Sequence, residues 1–292
     1  MRALAIVLIA VALRADERTQ KLAERLAAEA QAFEKLAPEV MGRETLRQRT
    51  LIPPARFKVR VGAAAEQALP AVWRNREIIS QYGFAVFGGS SIHELRQVTA
   101  VDGKRVAAER RAQEDLAKLV TGNDEERKKR ALQQLEKYGL RGGATDFGQL
   151  LLLFSRANLE RYEITYAGPR MVAPVRMQTF RYKQLDGPEA VTVFERGQTQ
   201  RLSVEGEIWV READGVPVRV TMVATGAATG KSSENTLREE ATVDYAVSEF
   251  GPVLPFQTTH RELRGGEVVT ENTYRYDGFH RLGVKPAGEQ RR

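Results

Sequence analysis

The stretch GEIWVREADGVPVRVTMVA, residues 206–224, decides the fold. Two alternating runs, Glu207–Arg211 and Val216–Ala224, flank Asp214-Gly215. Alternation with a period of two fits a strand with one buried face. An Asp-Gly pair between two such runs is a strong hairpin signal, because glycine reaches positive φ without steric cost. The same pattern continues on both sides. Runs at Arg161–Tyr166, Val175–Tyr182, Ala190–Glu195, Thr236–Val247, Val253–Arg264 and Glu267–Tyr276 read as strands. Asp186-Gly187 and Gly265-Gly266 fall at turns. Strands spaced this regularly imply consecutive antiparallel neighbours in a large sheet.

Upstream the pattern changes. In residues 16–37, Leu22, Leu26, Ala30, Phe33 and Leu36 form one apolar stripe at helical spacing, and Pro38 ends or kinks the helix. The segment 16–50 therefore reads as helical. Ile52-Pro53-Pro54 is a break, and Phe57–Val61 alternates like a strand. Residues 73–101 suggest strand material, closed by the Asp102-Gly103 turn. Residues 106–138 read as two helices parted by Gly122-Asn123-Asp124, and Thr145 or Asp146 caps a short apolar helix ending at Phe154. A long sheet needs a cover for its apolar face, and the helices of 106–154 are expected to pack on it. The fold class is α+β.

The N-terminus carries Arg2, an apolar run from Ala3 to Leu13, and then Arg14-Ala15-Asp16. This fits a secretory signal peptide over residues 1–15, cleaved near Ala15. The expected location is periplasmic or secreted. The run is shorter than the roughly 20 residues a membrane span needs, and no other segment is a transmembrane candidate. The formal net charge is +7, spread over both halves of the chain. The chain has no cysteine, which excludes disulfides, thiolate metal sites and cysteine nucleophiles.

Several fragments of known chemistry fail on inspection. Gly226 to Ser232 resembles a phosphate loop but has Thr225 where the first glycine belongs, and it joins two expected antiparallel strands. His93-Glu94 opens like a zinc-protease motif, but Gln97 replaces the second histidine. His93, His260 and His280 are the only histidines, too scattered to suggest a metal site. No Gly-x-Ser-x-Gly elbow occurs. Glu239 and Glu240 would point to opposite faces of a strand. Tyr and Arg near 181–182 and 274–276 alternate in the same way, which argues against a nucleic-acid platform. The expectation is a non-enzyme with no cofactor, no metal and no nucleic-acid partner.

Two stretches carry a family likeness. The first runs from Arg76-Glu77-Ile78-Ile79-Ser80-Gln81-Tyr82 through Glu94–Val98 to Val101-Asp102-Gly103-Lys104. The second runs from Gly206–Val210 and Asp214–Arg219 through Val243-Asp244-Tyr245 and Gly251–Pro255 to Tyr274-Arg275-Tyr276 and Phe279-His280-Arg281. Together they resemble a group of uncharacterised secreted bacterial proteins, and the second is similar to the sheet of LolA/LolB-type lipoprotein carriers. The resemblance implies a curved, incompletely closed antiparallel sheet, an incomplete barrel with helices over its concave face. It also implies uptake of acyl chains between sheet and helices. The chain departs from the carriers in its helical insertion at 106–154 and in lacking their N-terminal motifs.

The domain expected is a single half-barrel over 51–284, followed by a flexible basic tail at 285–292. The expected function is binding of a lipid or acylated protein in the half-barrel. Trp209, Phe180, Phe194, Tyr245 and Phe256 are the candidate cavity residues. The alternative is a structural or interaction module of the envelope with a filled core, meeting a protein partner through the charged helix at 123–138.

Overall fold

A computed structural model describes residues 2–52, 71–88, 91–132, 137–138, 146–172, 174–185, 191–195, 198–226 and 236–282, with the backbone alone for 2–16, 191–195 and 198–201. The expected strand at Phe57–Val61, most of the Gly226–Ser232 loop and the tail 285–292 lie outside the described residues.

The architecture is one large antiparallel sheet. Its twelve strands are β1 (Val40–Ile52), β2 (Val72–Phe87), β3 (Ser91–Val101), β4 (Lys104–Arg105), β5 (Tyr162–Val172), β6 (Val175–Gln184), β7 (Val191–Glu195), β8 (Gln198–Arg211), β9 (Pro217–Thr225), β10 (Leu237–Val247), β11 (Val253–Arg264) and β12 (Glu267–Arg281). The spatial order is β4-β3-β2-β1-β12-β11-β10-β9-β8-β6-β5, and β7 pairs with the start of β8. The two edges, β4 and β5, do not meet, so the barrel is incomplete. From β8 to β12 each strand pairs with the next, and β8–β9, β10–β11 and β11–β12 are joined by short turns at Asp214-Gly215, Gly251 and Gly265-Gly266. Asp102 and Gly103 both hold positive φ, and Gly265 and Gly266 do the same at the β11–β12 turn.

β1 corrects the helical reading of 16–50. The helix α1 (Arg2–Leu36) and one 3-10 turn over Ala37–Glu39 end at Val40, where the strand begins. Along β1, Val40, Glu44, Leu46, Gln48 and Thr50 face inward, while Arg43, Arg47 and Arg49 face out. Polar residues on both faces hide the alternation that would identify a strand. β1 is nevertheless central, bonded to β2 on one side and β12 on the other.

Two cores form, one on each face. The larger lies on the inner face and contains Leu22, Leu26, Ala30, Phe33 and Leu36 of α1, the expected stripe. It also holds Leu150, Leu151 and Phe154 of a 3-10 helix over Leu150–Phe154, together with inward residues of β1, β2, β5, β6 and β8–β12. The smaller core lies on the opposite face. There Leu116, Leu119 and Val120 of α2 (Glu109–Thr121) and Ala131 of α3 (Glu125–Leu132) pack on Met41, Ala85, Phe87 and Leu95.

This division corrects a second expectation. The helices of 106–154 do not share one face: α2 and α3 cover the outside, while among the described residues Tyr138 and 147–154 join α1 inside. The reason lies in β2. Tyr82 and Phe84 point into the inner core, while Gly83, Ala85 and Phe87 present small or apolar surface to α2. A Cβ on Gly83 would stand 3.6 Å from Leu116.

Candidate functional site

The inner face has two chemical halves. Under β6, β8, β9 and most of β10 it is apolar, with Glu239 near the start of β10 the exception: Phe180, Tyr182, Val204, Ile208, Val210, Val220, Met222, Ala224 and Val243 are all buried. Under β1–β3, β11 and β12 it carries buried polar groups. Glu44, Glu94 and Arg96 are each at most 3% exposed, as are Gln48, His260 and Asn272.

Arg96 is the centre of the first polar group. Its Nε and Nη2 donate to the two oxygens of Glu44 at 2.7 and 2.6 Å, and Nη2 also donates to Glu94 at 2.7 Å. The guanidinium lies 5.2 Å from the centre of the Tyr82 ring. Two carboxylates face one guanidinium. Burial pushes the Glu44 carboxyl above its ordinary range, against the attraction of Arg96. The Tyr82 hydroxyl, also held far from water, is pushed well up.

Glu94 carries this group to the segment that covers the inner face. Its Oε1 accepts from Tyr82 Oη and from Gly148 N, both at 2.7 Å. Its Oε2 accepts from Asp146 N at 2.9 Å. Asp146 reciprocates, accepting from Glu94 N at 2.7 Å. Its other oxygen lies 2.8 Å from His93 Nδ1, and this contact raises the His93 pKa above its usual value. Gln149 donates to Ile92 O at 2.7 Å. The side chains of Asp146 and Gln149 thus occupy backbone groups of β3, where the sheet is bordered only by the two-residue β4. Further along, Leu151 N donates to Tyr245 Oη at 3.0 Å, and that hydroxyl donates to Gly148 O at 3.1 Å.

The second polar group runs across the strands. Gln48 Nε2 donates to Asn272 Oδ1 at 2.9 Å, which leaves the Asn272 amide nitrogen to donate to His260 Nδ1 at 3.1 Å. The imidazole proton then sits on Nε2, against the Glu239 carboxylate. Phe147 stacks on His260 with ring centres 4.7 Å apart. Burial raises the Glu239 pKa. Among the described residues no cluster of three or more metal-ligating side chains occurs.

Two open grooves indent the surface. One, of about 330 Å³, lies at the end of the inner face. Leu254 and Tyr276 of the main core form its floor, Phe250 and Phe279 pack beside them, and the exposed Val247 and Phe256 form its rim. Pro255, which also lines it, stands 3.2 Å from where a Cβ on Gly148 would be. This groove abuts the covering segment. The other, of about 470 Å³, lies among the charged side chains Glu163, Arg181, Lys183, Glu205 and Glu207. Tyr182 lies across Gly206 there, and its hydroxyl donates to Thr221 O at 2.8 Å.

The structure separates the candidate cavity residues. Phe180 and Tyr245 are in the main core, and Tyr245 holds the cover. Phe256 is on the rim of the smaller groove. The side chain of Phe194, on β7, lies outside the described residues. Trp209 is on the other face. Its neighbours Ile208 and Val210 take the inward positions, so period-two geometry turns the indole out, between the guanidinium groups of Arg170 and Arg219 at 4.6 and 4.7 Å. Sequence reasoning missed Glu44, Arg96 and Asn272. Charged residues in a strand read as surface, and only their cross-strand register brings them together.

No family model and no curated protein matches this chain. Two solved structures align with it almost end to end. One is a DUF1329 family protein from Desulfovibrio piger ATCC 29098, 8% identical over 92% of this chain and 95% of that one, with a TM-score of 0.40. The other is a putative outer membrane lipoprotein-sorting protein domain from Vibrio parahaemolyticus, 10% identical over 91% of this chain and 95% of that one, with a TM-score of 0.34. Superpositions this loose carry no weight for function. The open sheet with its helical cover rests on the strand register of the chain itself.

Proposed function

We propose that this is an exported envelope protein that takes up an apolar or acylated ligand through the groove at the end of the inner face. The observation that carries this reading is the groove itself. Val247, Phe250, Leu254, Phe256 and Phe279 give it an apolar lining, and its floor is continuous with the main core. Its volume of about 330 Å³ is at the lower end of small-molecule sites. A longer chain gains room if the segment 146–154 lifts from the inner face. Export would use residues 1–15, with cleavage near Ala15. No catalytic role is assigned.

The test is mass spectrometry of lipid extracted from the purified protein, with titration of a fluorescent fatty acid. Co-purified lipid, and weakened binding on Phe250→Ser with Phe256→Ser, support the reading. No lipid and no fatty-acid binding refute it. A second reading, an interaction module with a filled core, draws on Leu151 and Phe154, which are completely buried against the sheet. It predicts a protein partner recovered by crosslinking and no lipid.

A further inference from the structure

Eight large apolar side chains are strongly exposed among the described residues, and five of them gather at one end of the sheet. The register places them there. Val172 pairs with Val175 at the β5–β6 hairpin tip, and Met177 pairs with Arg211 at the start of the β8–β9 turn. Arg219 pairs with Asp244, and Val247 pairs with Val253 at the β10–β11 turn. Met171, Val172, Val175, Val247 and Phe256 therefore lie along a common rim. Val72, Val106 and Leu185 lie toward the opposite end.

Met171, beside the hairpin tip, is the most exposed of the five at 66%. Arg170 and Arg176 bracket it in sequence, and Arg181 and Lys183 follow on β6. Glu163 is the sole acid of the two strands, so the hairpin carries a net charge of +3. The ion pairs of Arg170 with Glu207 and Arg176 with Glu212 are on the surface, where water and salt weaken them. An apolar tip inside a basic collar matches the boundary between acyl chains and anionic headgroups.

We propose that this end of the sheet, led by the β5–β6 hairpin, docks on an anionic bilayer surface. The tip enters the headgroup boundary, Arg170 and Arg176 exchange their carboxylate partners for lipid phosphates, and Val247 and Phe256 follow on the rim. Docking presents the end groove to the membrane, but it does not depend on ligand uptake: vesicle binding without fatty-acid binding would leave it standing.

The chain has no cysteine, so single sites can be labelled in the full-length protein. An environment-sensitive fluorophore is placed at Val172→Cys, and at Leu185→Cys as the control for the opposite end. Vesicles of phosphatidylcholine with phosphatidylglycerol are compared with phosphatidylcholine alone. The expected result is a blue shift at position 172 with anionic vesicles, little with neutral ones, and none at 185. Met171→Glu with Val172→Glu should abolish the 172-side docking, reported by a label at Val175→Cys, without lowering the melting temperature. Arg170→Gln with Arg176→Gln should remove the preference for anionic vesicles. No shift at 172, or an equal shift at 185, overturns the proposal. The local label separates docking at this rim from any contact made by residues 1–15.

Discussion

The Glu94 carboxylate and the Gly148 amide meet at 2.7 Å, and this contact ties the cover of the inner face to the sheet. The approach depends on glycine. A Cβ at position 148 would lie 2.6 Å from Glu94 Oε1 and 2.7 Å from Tyr82 Oη. Gly148→Ala is expected to destabilise the protein by about 1–3 kcal/mol through overpacking. Denaturant titration checks this, and Gly122→Ala, at a helix end, is not a substitute control because its own Cβ would meet backbone.

Arg96 has the opposite vulnerability, since removing it strands two buried carboxylates. Arg96→Met is expected to cost about 3–5 kcal/mol, the usual penalty for breaking a buried ion pair from one side. Pairing it with Glu44→Gln should recover part of that loss. A double-mutant cycle by chemical denaturation measures the coupling.

Stability is expected to be greatest in mild acid. Burial raises the folded pKa of Glu44 and of Glu239 above the unfolded value of 4.5. Each group binds its proton more tightly when folded. The stability it contributes is complete below 4.5 and lost as pH rises through the folded value. His93 acts in the same direction: its contribution is complete below 6.5 and lost as pH rises through its raised folded value. Denaturant midpoints across pH should decline accordingly, and Glu44→Gln should flatten the lower part of the curve.

Gly206 stands where no side chain can. A Cβ there would fall 2.0 Å from Thr221 O and 2.9 Å from the Tyr182 ring. Because the first obstacle is backbone, Gly206→Ala should cost more than Gly148→Ala and disturb the β8–β9 ladder. Tyr182→Phe removes only the hydroxyl that donates to Thr221 O and should cost about 1 kcal/mol. Amide hydrogen exchange along β8 and β9 distinguishes the two.

How far the structure could be read in the sequence depends on where polar groups went. β5 to β7, the end of β8 and β9 to β12 were legible because apolar alternation and turn residues coincide, as in Val216–Ala224 after Asp214-Gly215. β1 was not, because Glu44, Gln48 and Thr50 are buried and Arg43, Arg47 and Arg49 alternate with them. No local pattern marks a strand whose inward side chains find their partners on β3 and β12. Trp209, expected among the cavity residues, is turned outward for a different reason. Large aromatics are buried on average, but strand parity had already given the inward positions to Ile208 and Val210.

β2 feeds the inner core with Tyr82 and Phe84 and the outer core with Ala85 and Phe87, so it has no spare side. Deleting one residue ahead of Tyr82 would exchange the partners of both cores at once, handing a phenol to α2 and a methyl to the inner aromatics. Evolution can trim or lengthen the turns at either end of this protein, but length changes inside that strand are closed to it.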